Sequence, residues 1–414
     1  APGRSVTIET GKMAKLAGGA VTVRQEDAIV LVAACSAAPR PGLDFFPLQV
    51  DYREKYSAAG MFPGGYIKRE GRPSEKEILT ARMTDRPLRP LFPEGFINDV
   101  QIMSSLLSSD GENEPDVLSI LGASAALMVS DIPFHGPIGA LRVGRIDGEF
   151  VANPTHSEME NSELDLVYAG LPGKVVMIEG SAKEVSEEVL RDALVFADSI
   201  IGKLCEAQVK LAEAAGKAKY TPKLKLVPED VQKGVDELYT DRVREAAQIP
   251  SKAERQQAVA AIMEEAMGDP QFLDEDTGEP HDLQPAFDDL EEHVIRALIL
   301  EEGKRSDGRS LEDLRDISCE VGVLPRPHGS ALFSRGETQA LVTVTLGPES
   351  DAQGYDWISK HEFGQKRFML HYNFPNFSTG ETGRIMGPGR REIGHGALAE
   401  RSGAAILGND FPYT

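Results

Sequence analysis

The residues best suited to chemistry lie between Glu381 and Arg401, in the run ETGRIMGPGRREIGHGALAER. Gly383, Gly387, Gly389 and Pro388 make a loop that no side chain crowds. Arg390, Arg391 and Glu392 then open a segment whose Ile393, Ala397 and Leu398 recur at helical spacing. Glycine lets backbone approach a ligand closely. A helix N-terminus presents free N–H groups and partial positive charge, and two arginines placed there add forked donors that match phosphate. The stretch reads as an anion site for phosphate or a nucleotide phosphate, against the plainer alternative of a glycine-rich turn with two solvated arginines. A glycine-rich loop by itself does not decide between them. His395, one helical turn further on, could exchange a proton near neutral pH or simply pack on a face of small residues.

A second cationic region lies near the other end. Ser57 to Arg72 reads SAAGMFPGGYIKREGR and interleaves Tyr66 with Lys68, Arg69 and Arg72. A ring that stacks on a base and cations that hold phosphates suit a single strand of nucleic acid; the alternative is a mobile surface loop. GRPSEKEILTARMTDR follows from Gly71. Ser74 and Glu77 have capping-box spacing, which predicts a helix from Ser74 to about Pro87. Arg82, Arg86 and Arg89 then fall on one face of it, either lining a site or forming a solvated face paired with Asp85 and Glu77.

These two regions repeat one pattern. Glu77-Ile78 and Arg86 align with Glu392-Ile393 and Arg401 at an offset of 315, and Gly18 to Ala33 aligns with Gly329 to Val344 at an offset of 311. Two matches in order imply duplication of a whole domain, which sets the architecture. The first copy reads as α+β. Runs at Val6–Leu16, Ala20–Val23, Ala28–Ala34 and Phe45–Tyr52 are β-rich, with a hairpin turn at Arg24 to Asp27. A buried helix follows at Pro115–Asp131, then strands at Ile138–Ile146, Leu164–Tyr168 and Val175–Glu179, then one or two amphipathic helices over Val185–Ala215. Val227–Gln248, Lys252–Met267 and Leu283–Leu300 all have helical periodicity, broken at Asp269-Pro270 and Pro280. Strands are expected again at Ala331–Phe333, Ala340–Leu346 and Phe368–Phe374. The domains are therefore 1–220, 221–302 and 303–414, two α+β copies around an all-helical insert.

Composition sets bounds on this reading. The chain has 414 residues, enough for two or three domains. No apolar run is long enough to span a membrane, and no signal peptide is evident. Cys35, Cys205 and Cys319 lie far apart without metal-ligand spacing and read as buried free thiols in a reducing compartment. The net charge of −22 argues against a protein that coats nucleic acid indiscriminately, but the charge is uneven. Glu229–Glu302 carries 21 acidic and 6 basic residues, whereas Arg53–Arg89 carries 9 basic and 5 acidic ones, so a confined basic channel remains open. Both ends read as cut: residue 1 is Ala, and Phe411–Thr414 resembles the entry to a strand.

The long runs EGRPSEKEILTARMTDRPLRPLFPEGF, NEPDVLSILGASAAL, KRSDGR, GSALFSRGETQALVT and GPGRREIGHGALAER resemble the bacterial polynucleotide phosphorylase family along essentially the whole chain. The resemblance implies two ribonuclease PH-like domains separated by an all-α domain, a homotrimeric ring with a central channel, and RNA-binding KH and OB-type modules after the second domain. It implies a cytoplasmic enzyme, without membrane contact, that degrades RNA from its 3′ end with inorganic phosphate, releases nucleoside diphosphates, and runs backwards as a template-free polymerase. Mg²⁺ or Mn²⁺ would be the cofactor, single-stranded RNA 3′ ends the substrate, and RNA-degradation complexes possible partners.

By the same resemblance Arg390, Arg391 and His395 are catalytic phosphate-site residues. Tyr66, Ile67, Lys68 and Arg69 match an RNA-gripping loop that usually carries two phenylalanines and two arginines, so this chain departs at three of the four. Arg72, Arg86 and Arg89 are further RNA-binding positions. The family's serine-rich phosphate loop and acidic, lysine-containing metal site have no match before Thr414, and expected ligands would lie beyond it. In the first copy Val175–Gly180 retains only Glu179 of that metal pattern, which fits a non-catalytic first domain, so no residue is assigned to metal. Two other readings stand beside the enzyme: a non-catalytic, RNA-threading ring scaffold of the same fold, and an unrelated small-molecule phosphate enzyme.

Overall fold

The computed structural model describes residues 4–43, 45–273, 278, 281–407 and 411–414. It divides into two compact units, one formed by the chain up to Leu224 together with Gly347–Thr414, the other by Lys225–Leu346.

The first unit begins with β1 (Val6–Thr10), β2 (Gly19–Gln25), β3 (Ala28–Ala37) and β4 (Leu48–Glu54), then α1 (Glu75–Leu88), β5 (Asp99–Ser108) and α2 (Asp116–Val129). The strands form one sheet in the order β1-β2-β3-β5-β4. β4 and β5 run parallel, and α1 supplies the crossover such a pair needs. Ser74 caps α1 as its spacing predicts, with Glu77 closing the capping box. β5 is a strand that sequence periodicity did not mark. Alternating Val21, Val23, Val30 and Val32 are buried to 1% exposure or less, facing the apolar helix α2. Gly122 permits that approach: a Cβ there would strike the Val32 and Val23 side chains.

β6 (Gly139–Ile146), β7 (Glu149–Ala152), α3 (His156–Met159), β8 (Leu164–Leu171) and β9 (Lys174–Ala182) follow. Their strands make a second sheet in the order β7-β6-β8-β9, covered by the single long helix α4 (Glu187–Ala215). Ala193, Ala197, Ile201 and Cys205 of α4 are buried, four residues apart, as a helix facing a sheet requires.

The second unit opens with α5 (Glu229–Ala246), α6 (Lys252–Met267) and α7 (Gln284–Glu302), which share a core of Val235, Tyr239, Phe272, Phe287 and Leu290. The expected break at Pro280 lies outside the described residues. β10 (Ile317–Val321), β11 (Gly329–Arg335) and β12 (Thr338–Val344) follow as an antiparallel sheet.

The rest of the first unit holds the hairpin β13 (Gln353–Trp357) and β14 (Glu362–Lys366) and the helix α8 (Arg390–Ala404). The hairpin docks on residues of the first copy. Tyr56 donates from its hydroxyl to Asp356 at 2.6 Å. Lys76 bridges Glu54 at 3.0 Å and Glu114 at 2.9 Å and also reaches the Ser359 hydroxyl. Trp357 stands edge-on to His156. Burial raises the Glu54 pKa more than Lys76 lowers it. Burial would raise Glu114 as well, but Lys76, Arg142 and His156 outweigh it and hold that carboxyl low.

Three expectations are corrected. Phe368–Phe374 is not a strand: β4 of the first copy is held by β5, and among the described residues nothing pairs with 368–374. Cys35 and Cys319 are exposed, and only Cys205 is buried. The hairpins also relate by an offset of 310, not 311. β2–β3 turns at Glu26-Asp27 and β11–β12 at Gly336-Glu337. Gly336, at φ +58°, accepts the left-handed first turn position more readily than Glu26 does at φ +50°. The turn closes one residue earlier, and this register places Ala331 and Phe333, with Val342 and Val344, on the face equivalent to Val21, Val23, Val32 and Ala34.

Candidate phosphate and nucleic-acid site

α1 and α8 occupy equivalent places in the two copies, and their N-termini are built alike. Glu77 accepts from the Ser74 amide at 2.6 Å and from the Glu54 amide at 2.8 Å. Glu392, 315 residues later, accepts from the Gly389 amide and from the Phe374 amide at 2.9 Å. Each glutamate ties a helix start to the segment before it. Gly389 has no side chain to cap α8, so only the glutamate half of the motif is present there.

The two helices pack against each other. Arg82 of α1 lies against Gly394 of α8, where any Cβ would collide with its guanidinium. A cavity of about 200 Å³ opens beside this contact, lined by Val50, Ala81, Arg82, Asp85, Arg86, Arg89 and Arg390. Four guanidiniums thus meet in one space, three from the first copy and one from the second.

Their partners differ. Arg89 grips Asp85 with two bonds of 2.8 Å and reaches the Phe46 and Leu48 carbonyls. Arg86 donates to Glu179 at 2.6 Å. Arg390 pairs with Asp51 at 3.0 Å and donates to the Val50 carbonyl. Arg82 makes no hydrogen bond or ion pair among the described residues. Burial, then the neighbouring Arg86, lowers its pKa, with Glu179 and Asp85 opposing. It still carries a proton at any physiological pH, and it is the guanidinium with donors to offer an incoming anion.

The sequence-derived candidates are only partly gathered. Arg86, Arg89 and Arg390 share the cavity. Arg391 is exposed beside it, and His395, also exposed, stands edge-on to Tyr372 with ring centroids 5.3 Å apart. Tyr66, Ile67, Lys68, Arg69 and Arg72 all lie on an exposed loop and make no hydrogen bond or ion pair among the described residues. Asp85 does pair with Arg89, as a solvated face would predict, but Glu77 serves the helix cap instead. Sequence reading missed the role of Asp51, which only the β4 register brings to Arg390. It placed Arg82 on the correct face without marking it as the unpaired member. Among the described residues no three of His, Cys, Asp and Glu gather as a metal-binding group, and the Glu179 carboxylate is taken by arginines, so no step is assigned to a metal here.

The fold and this paired-helix site define a duplicated α+β core with a helical insert. Residues 2–133 and 313–407 match the family model "3' exoribonuclease family, domain 1", residues 136–200 match its "domain 2", and residues 230–310 match "Polyribonucleotide nucleotidyltransferase, RNA binding domain". The chain belongs to the 3′ exoribonuclease family. It is 50% identical to the polyribonucleotide nucleotidyltransferase of Geotalea uraniireducens over 100% of this chain and 59% of that protein. It is 51% identical to that of Geotalea daltonii, with the same coverage, and 52% identical to that of Akkermansia muciniphila over 99% of this chain and 57% of that one. The chain therefore spans under three-fifths of the length of these relatives. Among the described residues no helix is long and apolar enough to cross a membrane.

Proposed function

We propose that this chain is the core of a phosphate-dependent 3′-to-5′ exoribonuclease. The observation that carries the reading is the shared cavity, in which Arg390 joins Arg82, Arg86 and Arg89; an exposed, cationic, aromatic loop in the same chain adds to it. In the reaction an oxygen of inorganic phosphate attacks the phosphorus of the last phosphodiester. The bond from that phosphorus to the 3′ oxygen breaks, the terminal residue leaves as a nucleoside diphosphate, and the freed 3′ oxygen takes a proton. The reverse reaction extends RNA without a template. An anionic nucleophile must be held beside an anionic backbone, and preorganised guanidiniums do this through position and charge. Arg390 and Arg391 are the phosphate-site residues, with His395 as proton carrier. Tyr66 stacks a base while Lys68, Arg69 and Arg72 hold the backbone; Ile67 adds no stacking surface. The division into 1–220, 221–302 and 303–414 belongs to the same proposal. A homotrimeric ring, a cytoplasmic site of action, RNA-degradation partners and a Mg²⁺ or Mn²⁺ requirement belong to the same proposal through family resemblance.

The test uses the full-length protein, a 3′-tailed RNA and Mg²⁺, with and without inorganic phosphate. Nucleoside diphosphates are expected only with phosphate. Arg390→Ala/Arg391→Ala should lower turnover by about a hundredfold or more, as expected for lost electrostatic stabilisation, while RNA binding persists. Unchanged turnover would overturn the site assignment. Bound RNA without release in the wild type would favour a ring scaffold.

A further inference from the structure

Glu179 lies on β9, outside both phosphate motifs, and its side chain is 15% exposed. Its two carboxylate oxygens are divided between the two copies. Oε2 accepts from Arg86 at 2.6 Å and Oε1 from Arg401 at 2.9 Å. Arg86 and Arg401 are the same residue of the duplicated helix, 315 positions apart. One carboxylate thus joins three elements: α1, α8 and the second sheet. It also lies among like charges: Arg86 and Arg391 act on Arg82, and Arg401 shares the carboxylate with Arg86. Without an anion there, α1 and α8 would present like charges to each other.

We propose that Glu179 is a positioning residue for the phosphate site. By bridging Arg86 and Arg401 it sets α8 against α1, and α8 carries Arg390 into the cavity and Arg391 to its edge. A partly exposed ion pair contributes little to stability by itself, so a bridge kept at the junction of three elements acts mainly on geometry. The inference rests on the proposed phosphorolytic reading.

In the full-length protein, Glu179→Gln and Glu179→Ala should raise the KM for inorganic phosphate about tenfold, the scale of a displaced binding group, with kcat changed less. Formate or acetate should restore the KM of Glu179→Ala by filling the vacated carboxylate position, and should not restore Glu179→Leu, where the space is occupied. A lower melting temperature with unchanged phosphate KM would reduce Glu179 to a structural ion pair and overturn the proposal. Amide hydrogen exchange decides the matter without activity: Glu179→Gln should speed exchange in α8 more than in α4, and equal exchange would sink the inference. A wild type without phosphorolysis would defeat the functional reading, whereas an active wild type with indifferent variants would defeat only this one.

Discussion

The hairpins β2–β3 and β11–β12 come from one ancestral pattern and differ in what surrounds them. Val21, Val23, Val30 and Val32 are at most 1% exposed, whereas Phe333, Val342 and Val344 are 38%, 50% and 46% exposed. Each hairpin closes with a two-residue turn and keeps an apolar face. Among the described residues only the first has a helix, α2, laid on that face. A hairpin is thus a local product of turn and alternation, while burial is a long-range product of whatever arrives later in the chain.

The contrast can be broken most directly in the core. Val32→Ala removes buried methyl groups and leaves a cavity, and should cost about 2 kcal/mol. Val342→Ala, its equivalent in β12, should cost less than about 0.5 kcal/mol in this chain. Urea unfolding followed by circular dichroism measures both, and equal losses would mean that the second hairpin is as well covered as the first.

Charge provides the next test, because the first copy buries titratable groups beneath its docked hairpin. Burial lowers the His156 pKa, partly opposed by Glu114. The native protein then binds this proton less readily than the unfolded chain does. Its contribution to stability is complete above about pH 6.5 and is lost as pH falls from there toward the depressed native value, with a slope of at most about 1.4 kcal/mol per pH unit. Glu54, whose pKa burial raises, acts in the opposite sense. The His156 part is therefore read as the difference between wild type and His156→Asn, and identical pH profiles would remove it.

The smallest effects concern the two helix starts. Ser74→Ala should destabilise by about 1 kcal/mol through loss of the cap. Gly389→Ser, which adds the missing hydroxyl to α8, should change stability by only a few tenths of a kcal/mol, since Glu392 already serves that end. A large gain would show that the α8 start is the weaker of the pair.

Local features were legible in the residues themselves. The Ser74–Glu77 cap, the helical periodicity of the acidic insert, the one-sided spacing of Arg82, Arg86 and Arg89 and the duplication all follow from short-range stereochemistry or direct comparison. The site was half legible. Spacing marked Arg390 as a candidate anion ligand, but Asp51 lies 339 residues away and no period connects them. Strand assignment failed where pairing decides: Asp99–Ser108 is a strand because β3 and β4 flank it, and Phe368–Phe374 is not because nothing among the described residues does.

Sequence by itself thus determined the family, the copies and the identity of the cationic residues, because each rests on residue type and spacing. Tertiary structure alone decided which of the arginines lining the cavity are satisfied among the described residues and which is not. Arg89 found Asp85 one helical turn away, Arg86 and Arg401 found one shared carboxylate, Arg390 found β4, and Arg82 was left over Gly394. Ion pairing depends on distance in space, and the chain closes those distances only when α1, α8, β4 and β9 come together.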